Sequence, residues 1–160
     1  MKLSNQIGKW KFPKDKFVYE KQVLIKQTNM LGNTYFSNYI EWHGEARERF
    51  FLEHPSALEY LKENAHIAMV TYCIYHRFIE NMYFGDRVRI ELQSREIQKH
   101  SLVLVFRYYR SGTDQLIGEG WQKVCFSNTE TNQLSPVPQI FLDLVESVVE
   151  KNLIHCFPPS

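Results

Sequence analysis

A guanidinium set into an apolar helical stripe is the feature of this sequence that most invites a chemical reading. Placed on a wheel at about 100° per residue, the stretch from Phe36 to Phe51 sorts into two arcs. Tyr35, Phe36, Tyr39, Ile40, Trp42, Ala46, Phe50 and Phe51 share one side, and Ser37, Asn38, Glu41, Glu45, Glu48 and Arg49 fill the other. Only His43 and Arg47, one turn apart, interrupt the apolar arc with polar groups. Arginine does not shed its charge, so burying it costs on the order of several kcal/mol unless a carboxylate, carbonyls or a ligand satisfies it. One reading is a structural ion pair or a side chain snorkelling at the stripe's edge. The other is a fixed cation aimed at an anion or a developing oxyanion. His43 is either a hydrogen-bonded core imidazole or a group that titrates near neutrality. Glu41, Glu45 and Glu48 are general bases by type, yet their arc points away from the stripe, and Arg49, four residues after Glu45, is placed to pair with it.

The elements that must position these residues follow from periodicity. Phe17 to Lys26 is β-rich, Gln27 to Asn33 breaks the pattern, and a helical period runs from about Phe36 to His54, where Pro55 stops it. A second short helix covers Ser56 to Asn64. Four strand-like runs follow, Ile67 to Ile79, Asp86 to Arg95, Ser101 to Arg110 and Gln115 to Phe126, separated by turn-forming residues. Pro138 to Lys151 reads as a closing amphipathic helix, the C-terminal helix 138–151. Short connections favour antiparallel hairpins, so the expected class is α+β, an antiparallel sheet with one long helix on its face. The third strand run alternates, with Val88, Ile90 and Leu92 on one side and Arg87, Arg89, Glu91 and Gln93 on the other. Ile67 to Ile79 is apolar on both faces: Ala68, Val70, Tyr72 and Ile74 point one way, and Ile67, Met69, Cys73 and Tyr75 the other. A second covered face implies a neighbouring subunit or the terminal helix, and an oligomer is expected.

The 160 residues, with 19 Lys+Arg against 18 Asp+Glu and 44% hydrophobic content, suit one globular domain spanning 1–160. The near-zero net charge supplies no electrostatic reason to bind nucleic acid or an anionic membrane. The apolar runs are too short to cross a bilayer and the first residues lack the core of a signal peptide, so a cytoplasmic location is expected. Cys73, Cys125 and Cys156 are odd in number and lack metal or redox spacing, which predicts reduced thiols and no metal site. The N-terminal arm 1–16 carries Lys2, Lys9, Lys11, Lys14 and Lys16 around Trp10 and Phe12, and reads as a solvated tail with two anchoring rings or a contact for an acidic partner. Tyr72, Tyr75, Phe78, Phe106, Tyr108 and Tyr109 read mostly as core or interface aromatics, and some of them could line a tunnel for a long conjugated chain. No phosphate loop, nucleophile elbow or metal spacing is present.

The loop before the long helix, Gln27-Thr28-Asn29-Met30-Leu31-Gly32-Asn33-Thr34-Tyr35-Phe36-Ser37-Asn38-Tyr39, resembles the signature of the hot-dog acyl thioesterases of the 4-hydroxybenzoyl-CoA thioesterase family. The usual form reads Asp-Thr-Asp-x-x-Gly-His followed by aromatics and Asn-Tyr. The likeness continues through Trp42, Arg47, Glu48 and Phe50 to Gly85-Asp86. The family's catalytic carboxylate falls at Asn29 here, and an amide is neither a base nor a nucleophile of the usual kind. A closer resemblance is to the thioesterases of enediyne polyketide biosynthesis, in which the loop has Asn and a helix Arg stands eighteen positions later, as Asn29 and Arg47 do.

The resemblance implies a single hot-dog fold, a sheet wrapped around a long central helix. It implies hydrolysis that releases a polyketide or polyene chain from an acyl carrier protein, with decarboxylation of a β-keto acid to follow. It further implies no cofactor and a homo-oligomer, a dimer or a tetramer of paired dimers. Asn29 and Arg47 would be the catalytic pair, and Gly32, Tyr35, Tyr39 and His43 would contact substrate. Two alternatives differ in the chemistry: a general acyl-CoA thioesterase using a helix carboxylate, or a non-catalytic acyl-binding protein in which Asn29 marks a dead site. Gly32 suits either a positive φ or a close ligand approach.

Overall fold

The computed structural model describes residues 15–151. The arm residues up to Lys14, and Cys156, lie outside the described residues. The chain runs β1 (Phe17–Gln22), a short 3-10 turn (Ile25–Gln27), α1 (Phe36–Leu52), α2 (Pro55–Glu63), β2 (Ile67–Phe78), β3 (Arg87–Arg95), β4 (Ser101–Arg110), β5 (Leu116–Asn128), β6 (Gln133–Ser135) and α3 (Gln139–Glu146). The strands form one antiparallel sheet in the order β1-β3-β4-β5-β2, with β6 pairing the end of β5. The sheet curls around α1 in the hot-dog fold, and the expected α+β architecture is present.

Packing explains why the elements end where they do. Tyr39, Trp42, His43, Ala46, Phe50 and Phe51 of α1 are buried against Val88, Ile90 and Leu92 of β3 and Phe106 and Tyr108 of β4. Pro55 not only closes α1 but opens α2, where its missing N–H is harmless at the first helical position. Tyr35 and Phe36, on the apolar arc of the wheel, are 48% and 56% exposed because they precede the point where α1 meets the sheet.

Three expectations need correction. The closing helix ends at Glu146, short of Lys151, because the following residues join β3: Ser94 N–H donates to Val148 O (2.9 Å), Glu150 N–H donates to Ser94 O (2.9 Å), and Ser94 Oγ–H donates to Val145 O. That helix packs on Phe51, Phe126 and Tyr60 and does not cover β2. The assignment of β2 faces fails midway, since the pairing with β5 shifts between Thr71 and Cys73. The extra residue changes the phase. Thr71, His76 and Phe78 reach α1 side chains, whereas Cys73 and Tyr75 join Trp121, Val103 and Val105 in a small cluster on the outer face. Val70, Tyr72 and Ile74 stay exposed at 47%, 73% and 39%, and among the described residues the far edge of β2 has no strand beside it.

Candidate active site

Local hydrogen bonds shape the loop before α1. Asn29 N–H donates to Asn33 O and Gly32 N–H to Asn29 O, both at 2.9 Å, closing a tight turn in which Gly32 has φ +80°. A Cβ at Gly32 would meet nothing within 4 Å, so glycine is required there by backbone conformation and not by close approach. The Asn29 side chain folds back on the same turn, its Oδ1 accepting from Leu31 N–H at 2.9 Å. That bond fixes which way the amide faces. The oxygen is engaged, the Nδ2 donor has no partner among the described residues, and Asn29 can give a hydrogen bond to an incoming oxygen.

The segment after β2 is stapled to this loop. Thr34 N–H and Oγ1–H both donate to Met82 O, and Asn33 Nδ2 donates to Asn81 Oδ1 at 3.0 Å. Between the two segments and the start of α1 lies a cavity of about 210 Å³. Its polar lining residues include Asn29, Asn33, Asn81 and Glu80, and its aromatic ones are Tyr35, Phe36, Tyr39 and Phe78. Burial raises the Tyr39 phenol above its ordinary value, against hydrogen bonding with Thr34 and the Met82 backbone. Tyr39 is therefore a neutral hydroxyl near neutrality. Asn29, Tyr35 and Tyr39, named from sequence, are thus brought together with Phe78, one of the aromatics that could line a tunnel; Glu80, Asn33 and Asn81 are site residues the sequence reading did not single out. The Phe-Ile-Glu-Asn run at the end of β2 was the available signal.

Arg47 stands elsewhere. It lies about 16 Å further along the α1 axis than Phe36, at 1.5 Å per residue, and it does not line the Asn29 cavity. Its Nη1 donates to Thr71 Oγ1 at 2.9 Å and Gln122 Oε1 at 3.2 Å, while its buried Nε has no partner. Among the described residues no carboxylate lies within 4 Å of it. Burial lowers its pKa, with Glu48 opposing from a distance, but a guanidinium stays charged at any working pH. The structural ion pair weighed from sequence is therefore not what holds Arg47. Neutral oxygens do, and the charge is left available.

His43 is fully buried, stacked on Phe106 at 4.3 Å, and its Nε2 lies 3.0 Å from His76 Nδ1. Burial holds His43 well below its ordinary value, with His76 adding to the effect, and burial alone brings His76 down to about 4. Both rings are neutral near pH 7. Two glycines of β5 make room for the pair: a Cβ at Gly120 would come 2.8 Å from His43 Cε1, and one at Gly118 would come 2.8 Å from His76 Nε2. Of the helix carboxylates, Glu45 pairs with Lys21, which itself sits 5.0 Å over the Trp42 ring, and none lines the Asn29 cavity. The expected Glu45–Arg49 pair is absent, because Arg49 lies over the Tyr19 ring at 5.6 Å instead. Cys73 and Cys125 are free thiols, as expected, and no group of three metal-ligating side chains occurs among the described residues.

An antiparallel sheet curled around one long helix is the hot-dog fold of the thioesterases. The chain belongs to the thioesterase-like superfamily, whose family model matches residues 23–145. It is 22% identical over 120 residues to a 1,4-dihydroxy-2-naphthoyl-CoA hydrolase of Thermosynechococcus vestitus, covering 75% of this chain and 82% of that protein. Among solved structures it is similar to a Synechocystis 1,4-dihydroxy-2-naphthoyl-CoA thioesterase (TM-score 0.76, 19% identity, 81% of this chain and 95% of that one). It is also similar to the dynemicin thioesterase, described with bound polyene (TM-score 0.78, 22% identity, 86% and 100%). No helix among the described residues is long and apolar enough to cross a membrane.

Proposed function

We propose that the protein hydrolyses an acyl or β-ketoacyl thioester, releasing a polyketide-type chain from an acyl carrier protein or CoA, with Asn29 and Arg47 stabilising the oxyanion. The observation that carries the proposal is Arg47: a permanent cation held in an apolar stripe by two neutral oxygens, with no carboxylate among the described residues to neutralise it. Such a group is stabilised further when negative charge develops beside it. Asn29 Nδ2, turned outward by the Leu31 bond, is the second donor. The dynemicin thioesterase, similar over the whole of its length, supports an extended acyl chain. The naphthoyl-CoA relatives support a thioester of CoA.

One chain keeps the two donors apart, and a second copy reconciles them. The edge of β2 carries exposed Val70, Tyr72 and Ile74 and has free backbone groups. Antiparallel pairing of two such edges about a two-fold axis sets the two α1 helices head to tail. The loop before one helix then faces the later turns of the other, where Arg47 lies. In this homodimer each site takes Asn29 from one protomer and Arg47 from its mate.

Mixing two inactive full-length variants tests the assignment. Asn29→Ala and Arg47→Ala proteins, each defective alone, should regain up to roughly a quarter of wild-type thiol release when co-refolded, since statistical heterodimers keep one intact site. Absence of recovery would place both donors in one protomer's site. An Arg47→Ala protein as active as wild type on a β-ketoacyl thioester would remove Arg47 from catalysis.

A further inference from the structure

The proposed chemistry lacks a proton acceptor, since neither Asn29 nor Arg47 takes a proton from water. We propose that Glu80 is that acceptor, the general base that compensates for an amide at position 29. This rests on the hydrolase function proposed above.

Glu80 is the carboxylate on the wall of the Asn29 cavity. Its position is set by backbone bonds. Ile79 N–H and Glu80 N–H both donate to Ile117 O at 3.0 Å, which anchors the end of β2 to β5. On the other side Asn81 accepts from Asn33 Nδ2 at 3.0 Å and its carbonyl accepts from Arg110 Nη2 at 3.1 Å. The backbone at Glu80 is thus held between two fixed points, and the exposed residue borders the cavity beside the loop closed by the Asn29 turn. Among the described residues no cation lies within 4 Å of its carboxylate and none of its oxygens is engaged in a hydrogen bond, although ion pairs abound elsewhere on the surface. Arg110, which lies nearby, is spent on Asp86.

The groups around it suit hydrolysis. Tyr35, Phe36, Tyr39 and Phe78 offer an apolar wall for an acyl chain, and Asn29 Nδ2 offers a donor for the carbonyl oxygen. A water held between Glu80 and the thioester loses its proton to the carboxylate as its oxygen bonds to the carbonyl carbon, and the carbonyl electron pair moves onto oxygen. Collapse of the tetrahedral species re-forms C=O and breaks C–S. The departing thiolate takes the proton back from Glu80, leaving carboxylic acid, thiol and the original carboxylate. His76, which contacts the cavity through Phe78 at 4.6 Å, is the competing acceptor. Its outer nitrogen is buried against β5 and faces Gly118, away from the cavity.

The test is a pH–rate comparison of full-length wild type, Glu80→Gln and His76→Asn, with acetoacetyl-CoA and benzoyl-CoA as probes and free thiol as the readout. The titrating neighbours are Tyr35 and Tyr39 at α1, His76 on β2, and Asp86 with Arg110 behind Asn81. Glu80→Gln should lower kcat by roughly 100-fold or more with KM little changed, and should abolish the acid-side decline in rate expected of wild type. Glu80→Asp should retain part of the rate and keep that acid limb. A Glu80→Gln enzyme within threefold of wild type overturns the proposal, as does an acid limb that survives in Glu80→Gln and disappears in His76→Asn. Those results leave the hydrolase function standing. A wild-type protein that releases no thiol from either probe or from a β-ketoacyl carrier protein overturns both.

Discussion

The two faces of the sheet treat charge in opposite ways. On the outer face each poorly exposed carboxylate has a cation: Glu119 pairs with Arg77, Glu150 with Arg107, and Glu91 with Lys16 at 2.8 Å and Arg89 at 3.2 Å. On the inner face, among the described residues, Arg47 hydrogen-bonds only to Thr71 and Gln122, and the imidazoles of His43 and His76 have each other as their polar partner. Charge that holds the fold together is neutralised where it stands. Charge left uncompensated in a partly desolvated place is poised for a ligand.

The contrast is sharpest if an inner cation can be removed without harm to the fold. Arg47→Met should lower thiol release by two to three powers of ten, about 3–4 kcal/mol of barrier, while urea denaturation gives an unchanged or higher midpoint. A midpoint that falls in step with activity would make Arg47 a structural residue. Acid should act next. Between pH 6.5 and about 4 the unfolded chain binds protons at His76 that the folded chain refuses, so stability declines as pH falls through that window. Below about 4 both states are protonated and this contribution is gone. The loss is about 2–3 kcal/mol, and it should shrink in His76→Asn when thermal unfolding is followed at pH 7 and pH 4.5. The smallest effect belongs to the outer face, where Glu150→Gln should lower stability by about 1 kcal/mol, since Arg107 keeps its bond to Gln93 and an amide oxygen at 150 but loses the opposite charge. Specific activity of the folded Glu150→Gln protein should match wild type. An outer-face change that altered turnover as strongly as Arg47→Met would erase the distinction between the faces.

What the sequence made legible was whatever depends on local period. Alternation in β3 placed Val88, Ile90 and Leu92 in the core, where all three are fully buried, and β4 spans the residues expected of it. The helix wheel isolated His43 and Arg47 and set the helix carboxylates aside. Partners contributed through strand register were invisible. Thr71 and Gln122 reach Arg47, and His76 reaches His43, only because β2 and β5 lie side by side under α1. The three-residue β6 is too short to carry a period, and Glu80 follows the last residues of a strand, where side-chain direction is set by tertiary anchoring. The family motif located Asn29, but nothing in it revealed that the Leu31 N–H decides which end of the amide faces the cavity.

The phase slip at Tyr72 has a further consequence. Phe78, a wall of the cavity, and Thr71, the brace of Arg47, belong to one strand but to opposite sides of its single added residue. Excising that residue would leave each half-strand intact while turning one half inside out, so that either the cavity loses its wall or the guanidinium loses its brace. A one-residue deletion in β2 would therefore uncouple the Phe78 wall from the Thr71 brace, without touching the helix that bears Arg47.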